Sequence, residues 1–101
     1  MPRGKTYWMI VDSYENFRIT AGIDFTIQGL MTKQRRKAQR MEPGDRLVYY
    51  VNNRWLFCAT ATVTSKCSES HQIIWTSNGK PDDFPWRVNI KADVILNDDQ
   101  F

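Results

Sequence analysis

The sequence predicts a small, mostly antiparallel α+β barrel with one or two short helices on its side. Strand patterns recur along the chain, helix signals occur at only two places, and 101 residues provide one domain with one core. We therefore interpret residues 1–101 as a single domain.

Three segments carry the clearest strand patterns in the first two thirds of the chain. Tyr7–Val11 is an uninterrupted apolar run, which predicts a strand buried on both faces. Arg46–Val51 and Trp55–Thr64 predict two antiparallel strands, because the second alternates between apolar and small polar residues. Asn52-Asn53 lies between them and predicts a tight turn, since asparagine tolerates a positive φ.

The remaining strand predictions are shorter. Ile23–Gln28 fits a short strand or an extended loop, and Gln72–Trp75 fits a short strand before a turn-rich loop. Trp86–Lys91 alternates cleanly and predicts a final strand. Val94–Leu96 predicts the start of another strand that the chain does not finish.

Both helix predictions rest on end signals. Asp12 or Ser13 can cap a short helix that ends at Ala21-Gly22. Residues 30–41 predict a second helix, which "EPGD" at 42–45 ends, because proline disfavours helix for the preceding residue and Pro-Gly forms a turn. One side of this helix is expected to dock on the sheet through Leu30, Ala38 and Met41.

The opposite side of the second helix is strongly basic. Lys33, Arg36, Lys37 and Arg40 recur at i, i+3, i+4 and i+7 and share one face, with no acidic residue between them. Residues 1–40 hold eight Lys/Arg against three Asp/Glu, whereas the remainder holds six against eight. Such a run is either a solvated face or a surface that binds phosphates, and its unrelieved repulsion favours the second interpretation.

Composition argues against several classes of function. Two cysteines and one histidine fit no metal motif and leave little material for nucleophilic catalysis, so we predict no metal, no cofactor and no enzyme activity. The apolar runs are too short to cross a bilayer, and no signal-peptide pattern is present. We therefore expect a cytoplasmic protein without a membrane partner.

Five segments, taken in order, resemble an EVE domain, a member of the PUA-like group that is related to the YTH domain. They are "YWMIVDSYENF", "RRKAQRMEPGDRLVYYV", "ATATVTS", "IIW" and "DFPWRVNI", and they cover most of residues 7–91. EVE domains typically continue for several dozen residues beyond the last segment. The resemblance therefore implies a PUA-like barrel that is truncated at its C-terminus or completed in another way.

The resemblance implies a module that reads one modified base of DNA or RNA. Aromatic rings hold the faces of such a base and an amide pairs with its edge. Asn16 falls at the edge-reading position, Trp75 and Phe25 at or near cage positions, and Ser13 and Thr26 are polar neighbours. The expected phosphate-binding residues are Lys33, Arg36, Lys37 and Arg40 of the basic face, together with Arg35, which lies near a basic position that recurs in EVE domains.

Alternatives stand beside this interpretation. Trp75 fits a core position as well as a pocket wall, and Asn16 alone would be a capping or solvated residue. An enzyme acting on a modified nucleotide or RNA would use Asp12, the acid closest to Asn16. An interaction module would pair a protein partner, or a second copy of the chain as a homodimer, with an unfinished sheet edge.

Overall fold

The computed structural model describes residues 6–51, 56–77 and 79–95, which form one mixed sheet with two short helices. The helices are α1 (Tyr14–Gly22) and α2 (Arg35–Arg40), and a 3-10 turn at Thr32–Gln34 precedes α2. The strands are β1 (Tyr7–Asp12), β2 (Ile27–Leu30), β3 (Arg46–Val51), β4 (Leu56–Val63), β5 (Ser68–Glu69), β6 (Thr76–Ser77), β7 (Lys80–Pro81) and β8 (Trp86–Ile95).

The sheet has the strand order β1-β3-β4-β8-β2, with β5 also paired to β8, while β6 and β7 form a separate hairpin. β1 runs parallel to β3, and all other strand pairs in the described residues are antiparallel. The predicted class, a small and mostly antiparallel α+β barrel with short helices on its side, is therefore confirmed as a half-barrel. None of the helices in the described residues is long and apolar enough to span a membrane.

Two of the predicted strands are confirmed, with small changes at their ends. Arg46–Val51 is β3, and the predicted strand over 55–64 is observed as Leu56–Val63. The last strand is longer than predicted, because Val94 and Ile95 continue β8 instead of starting a new strand. Trp55, the Asn52-Asn53 turn and Leu96 lie outside the described residues.

The prediction that Tyr7–Val11 is buried on both faces is wrong. Tyr7, Met9 and Val11 are 68%, 49% and 57% exposed, whereas Ile10 is buried. β1 lies at the end of the sheet order, where one of its faces is left uncovered. An apolar run in the sequence therefore does not distinguish an edge strand from a central strand.

Two other strand predictions are also corrected. The segment 72–75 is not a strand, because the next strand begins at Thr76. The strand predicted over 23–28 begins only at Ile27, since Asp24 and Phe25 adopt positive φ values of 59° and 51° and turn the chain after α1. Positive φ at a bulky aromatic residue is uncommon and gives no signal in the sequence.

The first helix begins and ends as predicted. The Ser13 hydroxyl accepts a hydrogen bond from the Asn16 backbone N–H at 3.1 Å and so caps α1. The helix ends at Gly22, and it buries Phe17 and Thr20 against the sheet. Ser13 alone separates the end of β1 at Asp12 from the start of α1 at Tyr14.

The second helix is shorter than predicted. Leu30 belongs to β2, and only Arg35–Arg40 is α-helical. Of the three residues predicted to dock this helix, Ala38 lies in α2 and is buried, while the buried Leu30 and Met41 lie in β2 and just after the helix. Lys66 donates to the carbonyl of Gln39 at 3.3 Å and so satisfies one carbonyl of the last turn.

An aromatic cluster and a buried aspartate hold the elements together. The rings of Phe17, Phe25 and Tyr49 pack edge to face, with centroids 5.5–6.0 Å apart. Asp45 follows the Pro-Gly turn and accepts hydrogen bonds from Trp8 Nε1 at 3.0 Å and from the Thr6 and Glu42 N–H groups. It fixes the start of β1 against the start of β3.

Candidate nucleic-acid interface

A cavity of about 310 Å³ opens where β1 ends and α1 begins, and we call it the α1 cavity. Its wall combines the β1–α1 junction, β2, the 3-10 turn with α2, and β6. The polar lining comprises Asp12, Ser13, Asn16, Gln28, Gln34, Thr76 and Ser77. The apolar lining includes Ile10, Leu30, Met31 and Phe84, and Lys33 and Lys37 supply positive charge. This volume lies at the lower end of the range for small-ligand pockets.

Asn16 lies on the wall of the α1 cavity, but its carboxamide is already engaged. Nδ2 donates to the Thr76 carbonyl at 2.7 Å, and Oδ1 accepts from the Thr76 N–H at 2.8 Å. These bonds tie α1 to β6 across 60 residues of sequence. Asn16 thus shapes the cavity, and its predicted role as the edge reader would require these bonds to be shared or broken.

Gln28 is similarly held at both ends of its side chain. Its Oε1 accepts a 2.6 Å hydrogen bond from the Tyr49 hydroxyl, and its Nε2 donates to the Gly29 carbonyl at 2.8 Å. Burial raises the pKa of Tyr49 well above its usual value, and the nearby Asp12 carboxylate raises it further. The hydroxyl is therefore a fixed donor at neutral pH.

Asp12 differs from the other polar residues of this wall. The residue is 7% exposed, and Oδ2 has no hydrogen-bond partner among the described residues. Burial raises the carboxyl pKa from 3.8 to about 7, because the charged form is poorly solvated. A buried carboxyl with an unpaired oxygen at a cavity is an uncommon arrangement and a frequent mark of functional sites.

The structure places Trp75 behind the cavity wall, not on it. The indole is 1% exposed, its Nε1 donates to Thr20 Oγ1 at 2.9 Å, and the Arg87 guanidinium lies 5.1 Å from the ring centroid. It packs on the backbone of Gly29, where a Cβ would overlap the ring. Trp75 therefore occupies the core position that the alternative interpretation described, while the cavity beside Asn16 remains open on the other side.

The other predicted base-pocket residues divide between the cavity and other sites. Ser13 lines the cavity. Phe25 is 2% exposed within the aromatic cluster of the core, and Thr26 is exposed and bonds the Ile23 carbonyl. Because Phe25 and Trp75 are interior, the predicted aromatic cage is not formed, and Phe84 is the one aromatic side chain on the described lining.

The structure places two of the five predicted phosphate-binding residues on the lining of the α1 cavity. Lys33 and Lys37 line it, and Lys33, Arg35 and Arg36 also line a shallow depression of about 360 Å³ on the outside of α2. Arg40 is exposed and borders neither cavity. The basic run therefore divides into residues at the cavity and residues beside it.

Two of these cations already have partners within the chain. Lys37 Nζ donates to the Met9 carbonyl at 2.8 Å, and partial burial lowers its pKa. The Arg35 guanidinium lies 5.4 Å from the ring centroid of Trp86. These contacts fix Lys37 at the α1 cavity and Arg35 at the shallow depression, and each cation keeps donors for an anion.

Sequence reasoning missed Gln28 and Thr76 as cavity residues, and it gave Asp12 a role as a candidate helix cap and as the acid of the alternative enzyme hypothesis. Gln28 lies in a four-residue strand, and nothing in its immediate sequence indicates burial. The sequence predicts a strand that ends at Val11 and a helix cap at Ser13, so Asp12 lies at a strand–helix junction. Functional side chains often lie at such junctions. The burial of the Asp12 carboxyl depends on β2 and β3, which are distant in sequence.

The sheet order, the parallel β1–β3 pair and the two short helices define a YTH-like α+β fold. Similar crystal structures include the Mmi1 YTH domain, with TM-score 0.68 at 12% identity over 92% of this chain and 62% of that one. The Pho92 YTH domain in complex with m6A gives TM-score 0.66 at 14% identity over 99% of this chain and 64% of that one. A structural-genomics structure from Pseudomonas putida gives TM-score 0.57 at 15% identity over 89% and 69%.

These comparisons establish the fold alone. The chain spans less than two thirds of the length of the first Mmi1 structure and of the Pho92 structure. No protein-family model matches the sequence, and no curated protein matches it either. The YTH-like fold agrees with the predicted PUA-like barrel, and the EVE family itself stays a prediction.

Proposed function

We propose that this chain is a non-catalytic nucleic-acid-binding module that accepts a single modified base of RNA or DNA in the α1 cavity. The observation that carries the proposal is a cavity with a polar inner wall and lysines at its mouth, formed on a YTH-like fold. Solved structures with this fold include the Mmi1 YTH domain in complex with RNA and the Pho92 YTH domain in complex with m6A.

The lining supports a base as the ligand. Ile10, Leu30 and Phe84 offer apolar surface to the faces of a ring, while Asp12 and its polar neighbours face the edge. An added methyl group on the base would contribute roughly 25 cal/mol per Å² of apolar area that it buries. Lys33 and Lys37 would neutralise the phosphates on either side of the inserted nucleotide.

Fluorescence anisotropy with labelled single-stranded RNA and DNA tests this proposal. We expect salt-dependent binding that the double variant Lys33→Gln/Lys37→Gln weakens, with the salt slope reduced by about one for each phosphate that is no longer neutralised. Lys91→Gln is the matched control, because Lys91 is exposed on β8 and does not line the α1 cavity. Equal weakening of binding in both variants, or no binding at all, would contradict the proposal.

An enzyme that acts on a modified nucleotide is the second candidate. The observation in its favour is Asp12, whose pKa of about 7 would suit a general acid or base at neutral pH. This candidate predicts turnover of a modified nucleoside that Asp12→Asn abolishes. Binding without turnover supports the reader.

An interaction module is the third candidate, and the uncovered face of β1 favours it. Tyr7, Met9 and Val11 expose apolar side chains on one face of an edge strand, as an unfinished sheet that pairs with a partner or a second copy would. This candidate predicts dimers whose population rises with concentration in sedimentation experiments. Substituting Met9 by lysine would then dissociate them.

A further inference from the structure

The hydrogen-bonding groups of the α1 cavity are unequally available to a ligand. Asn16 is bonded to the Thr76 backbone, Gln28 to Tyr49 and Gly29, and the Ser13 hydroxyl accepts the α1 capping bond. In the described part of the chain, Asp12 Oδ2 is the buried lining atom that lacks a partner. Oδ2 exposes less than 1 Å² to solvent, so a ligand would have to displace part of the wall to reach it, but no hydrogen bond to Oδ2 itself would be lost.

We infer that Asp12 is the specificity-determining residue of the cavity, and that its ionised carboxylate accepts a hydrogen bond at Oδ2 from the exocyclic amino group of the inserted base. The inference rests on the proposed function, since it names the edge that the same cavity reads. Its ligand class is the amino-bearing bases adenine, cytosine and guanine, including forms in which methylation leaves one amino hydrogen.

The charge of the acceptor excludes the remaining bases on physical grounds. Uracil and thymine carry no amino group, and two carbonyl oxygens flank their ring N–H and repel a carboxylate. An amino group instead offers the hydrogen-bond donor that Oδ2 lacks. Loss of that donor leaves the carboxylate buried and unpaired, which is the arrangement that discriminates most strongly against a wrong ligand.

The surroundings of Asp12 make this recognition depend on pH. Burial raises the pKa of Asp12 to about 7, so in the protein without ligand its carboxyl is partly protonated near pH 7. The charged and titratable groups around it are Tyr49 of β3, Lys33 of the 3-10 turn, Lys37 of α2, and the exposed Glu15 of α1, which bonds the Thr76 hydroxyl. Binding adds an amino donor that favours the ionised form, and binding therefore lowers the pKa of Asp12.

The sign of the pH dependence follows from this linkage. When the bound state favours the ionised carboxylate, binding releases a proton below the pKa of the free protein, and affinity falls as pH decreases. Between pH 7.5 and pH 5.5 we expect affinity to fall by about tenfold. Asp12→Asn cannot ionise at this position, and its affinity should be unchanged across this interval.

The experiment uses the full chain and labelled nine-nucleotide single-stranded RNAs that differ only in the central base. The tightest-binding of adenine, cytosine and guanine is compared with its analogue that lacks the amino group, namely purine, 2-pyrimidinone or hypoxanthine. Anisotropy is measured at pH 7.5 and pH 5.5 for the wild-type chain and for Asp12→Asn. We expect about tenfold weaker binding of the analogue to the wild-type chain at pH 7.5, and a smaller difference for the variant.

The outcomes separate this inference from the proposed function. Equal binding of base and analogue, tightest binding of uracil, or affinity that does not fall at pH 5.5 would overturn the assignment of Asp12. The module would still stand in that case if Lys33→Gln/Lys37→Gln weakened binding. Absence of binding to every RNA and to the DNA equivalents would overturn both. The wild-type results decide the inference even if Asp12→Asn fails to fold.

Discussion

Asn16 and Thr76 are joined by two hydrogen bonds between a side-chain amide and a backbone peptide group. Nδ2 donates to the Thr76 carbonyl at 2.7 Å, while the Thr76 N–H donates to Oδ1 at 2.8 Å. The amide thus pairs with the chain as a neighbouring strand would. This contact places β6 over the start of α1 and closes one side of the α1 cavity.

Asn16→Ala should lower the free energy of unfolding by about 1–3 kcal/mol, because it leaves two partly buried backbone groups of Thr76 without partners. Glu15→Ala is the control, since the exposed Glu15 bonds only the Thr76 hydroxyl and its removal should cost less than about 1 kcal/mol. Urea denaturation measures both values. Equal small effects would show that the amide pairing is not a structural contact.

Features of the fold could be predicted where they depend on residues that are close together in the sequence. The Ser13 cap, the Gly22 helix end and β3 could be predicted, because each depends on residue types within a few positions. The exposure of Tyr7, Met9 and Val11 could not, since an edge strand and a central strand have the same apolar run. Sheet order depends on contacts between segments that are distant in sequence.

The site could be predicted in part for the same reason. Four residues of the predicted site line one cavity, namely Ser13, Asn16, Lys33 and Lys37. The resemblance predicts Phe25 near the pocket, but two consecutive positive φ values turn its ring into the core. The sequence leaves Trp75 either in the core or on the pocket wall. Its contacts with Thr20 of α1 and Gly29 of β2 place it in the core.

Gly29→Ala should destabilise the protein by about 1–3 kcal/mol, because the added Cβ would overlap the Trp75 indole and lie 3.0 Å from Phe84 Cβ. Gly22→Ala is a matched control, since nothing lies within 4 Å of a Cβ at that position. Its effect should be near zero or slightly stabilising. Chemical denaturation of the two variants under identical conditions checks the comparison, and similar destabilisation of both would contradict it.

Trp75→Ala should cost about 3–5 kcal/mol of unfolding free energy, as expected for an interior aromatic residue. Trp75→Phe keeps most of the packing but removes the Nε1–H bond to Thr20, and should cost less. If Trp75 were instead a ligand-contacting wall, Trp75→Ala would leave stability nearly unchanged and abolish nucleic-acid binding. Parallel unfolding and anisotropy measurements distinguish the two roles.

His71 lies between two carboxylates, with Nδ1 2.6 Å from Asp83 Oδ2 and Nε2 2.8 Å from Glu69 Oε2. These hydrogen bonds, first to Asp83 and then to Glu69, raise its pKa above 6.5. The stabilisation is therefore complete below pH 6.5 and is lost as pH rises through the folded-state pKa. The urea midpoint of the wild type should exceed that of His71→Gln at about pH 5.5 by more than at about pH 8.5. A constant difference would contradict this, and because the site is exposed, the effect should be small.

Asp12→Asn should stabilise the protein at alkaline pH. The folded-state pKa of about 7 lies above the ordinary value of 3.8, so folding disfavours the charged carboxyl; the penalty grows from about pH 4 and is complete above about pH 7. At about 1.4 kcal/mol per pH unit, the gain at about pH 8 is up to about 4 kcal/mol, and it shrinks toward about pH 5.

Asp24→Asn is the control, because that carboxyl is exposed and asparagine tolerates its positive φ. An equal effect of both substitutions, or a gain at Asp12 that does not change between about pH 5 and about pH 8, would mean that Asp12 carries no buried charge. A gain that follows the expected pH dependence would show that the chain keeps a destabilising carboxyl at this cavity, as residues selected for binding often are.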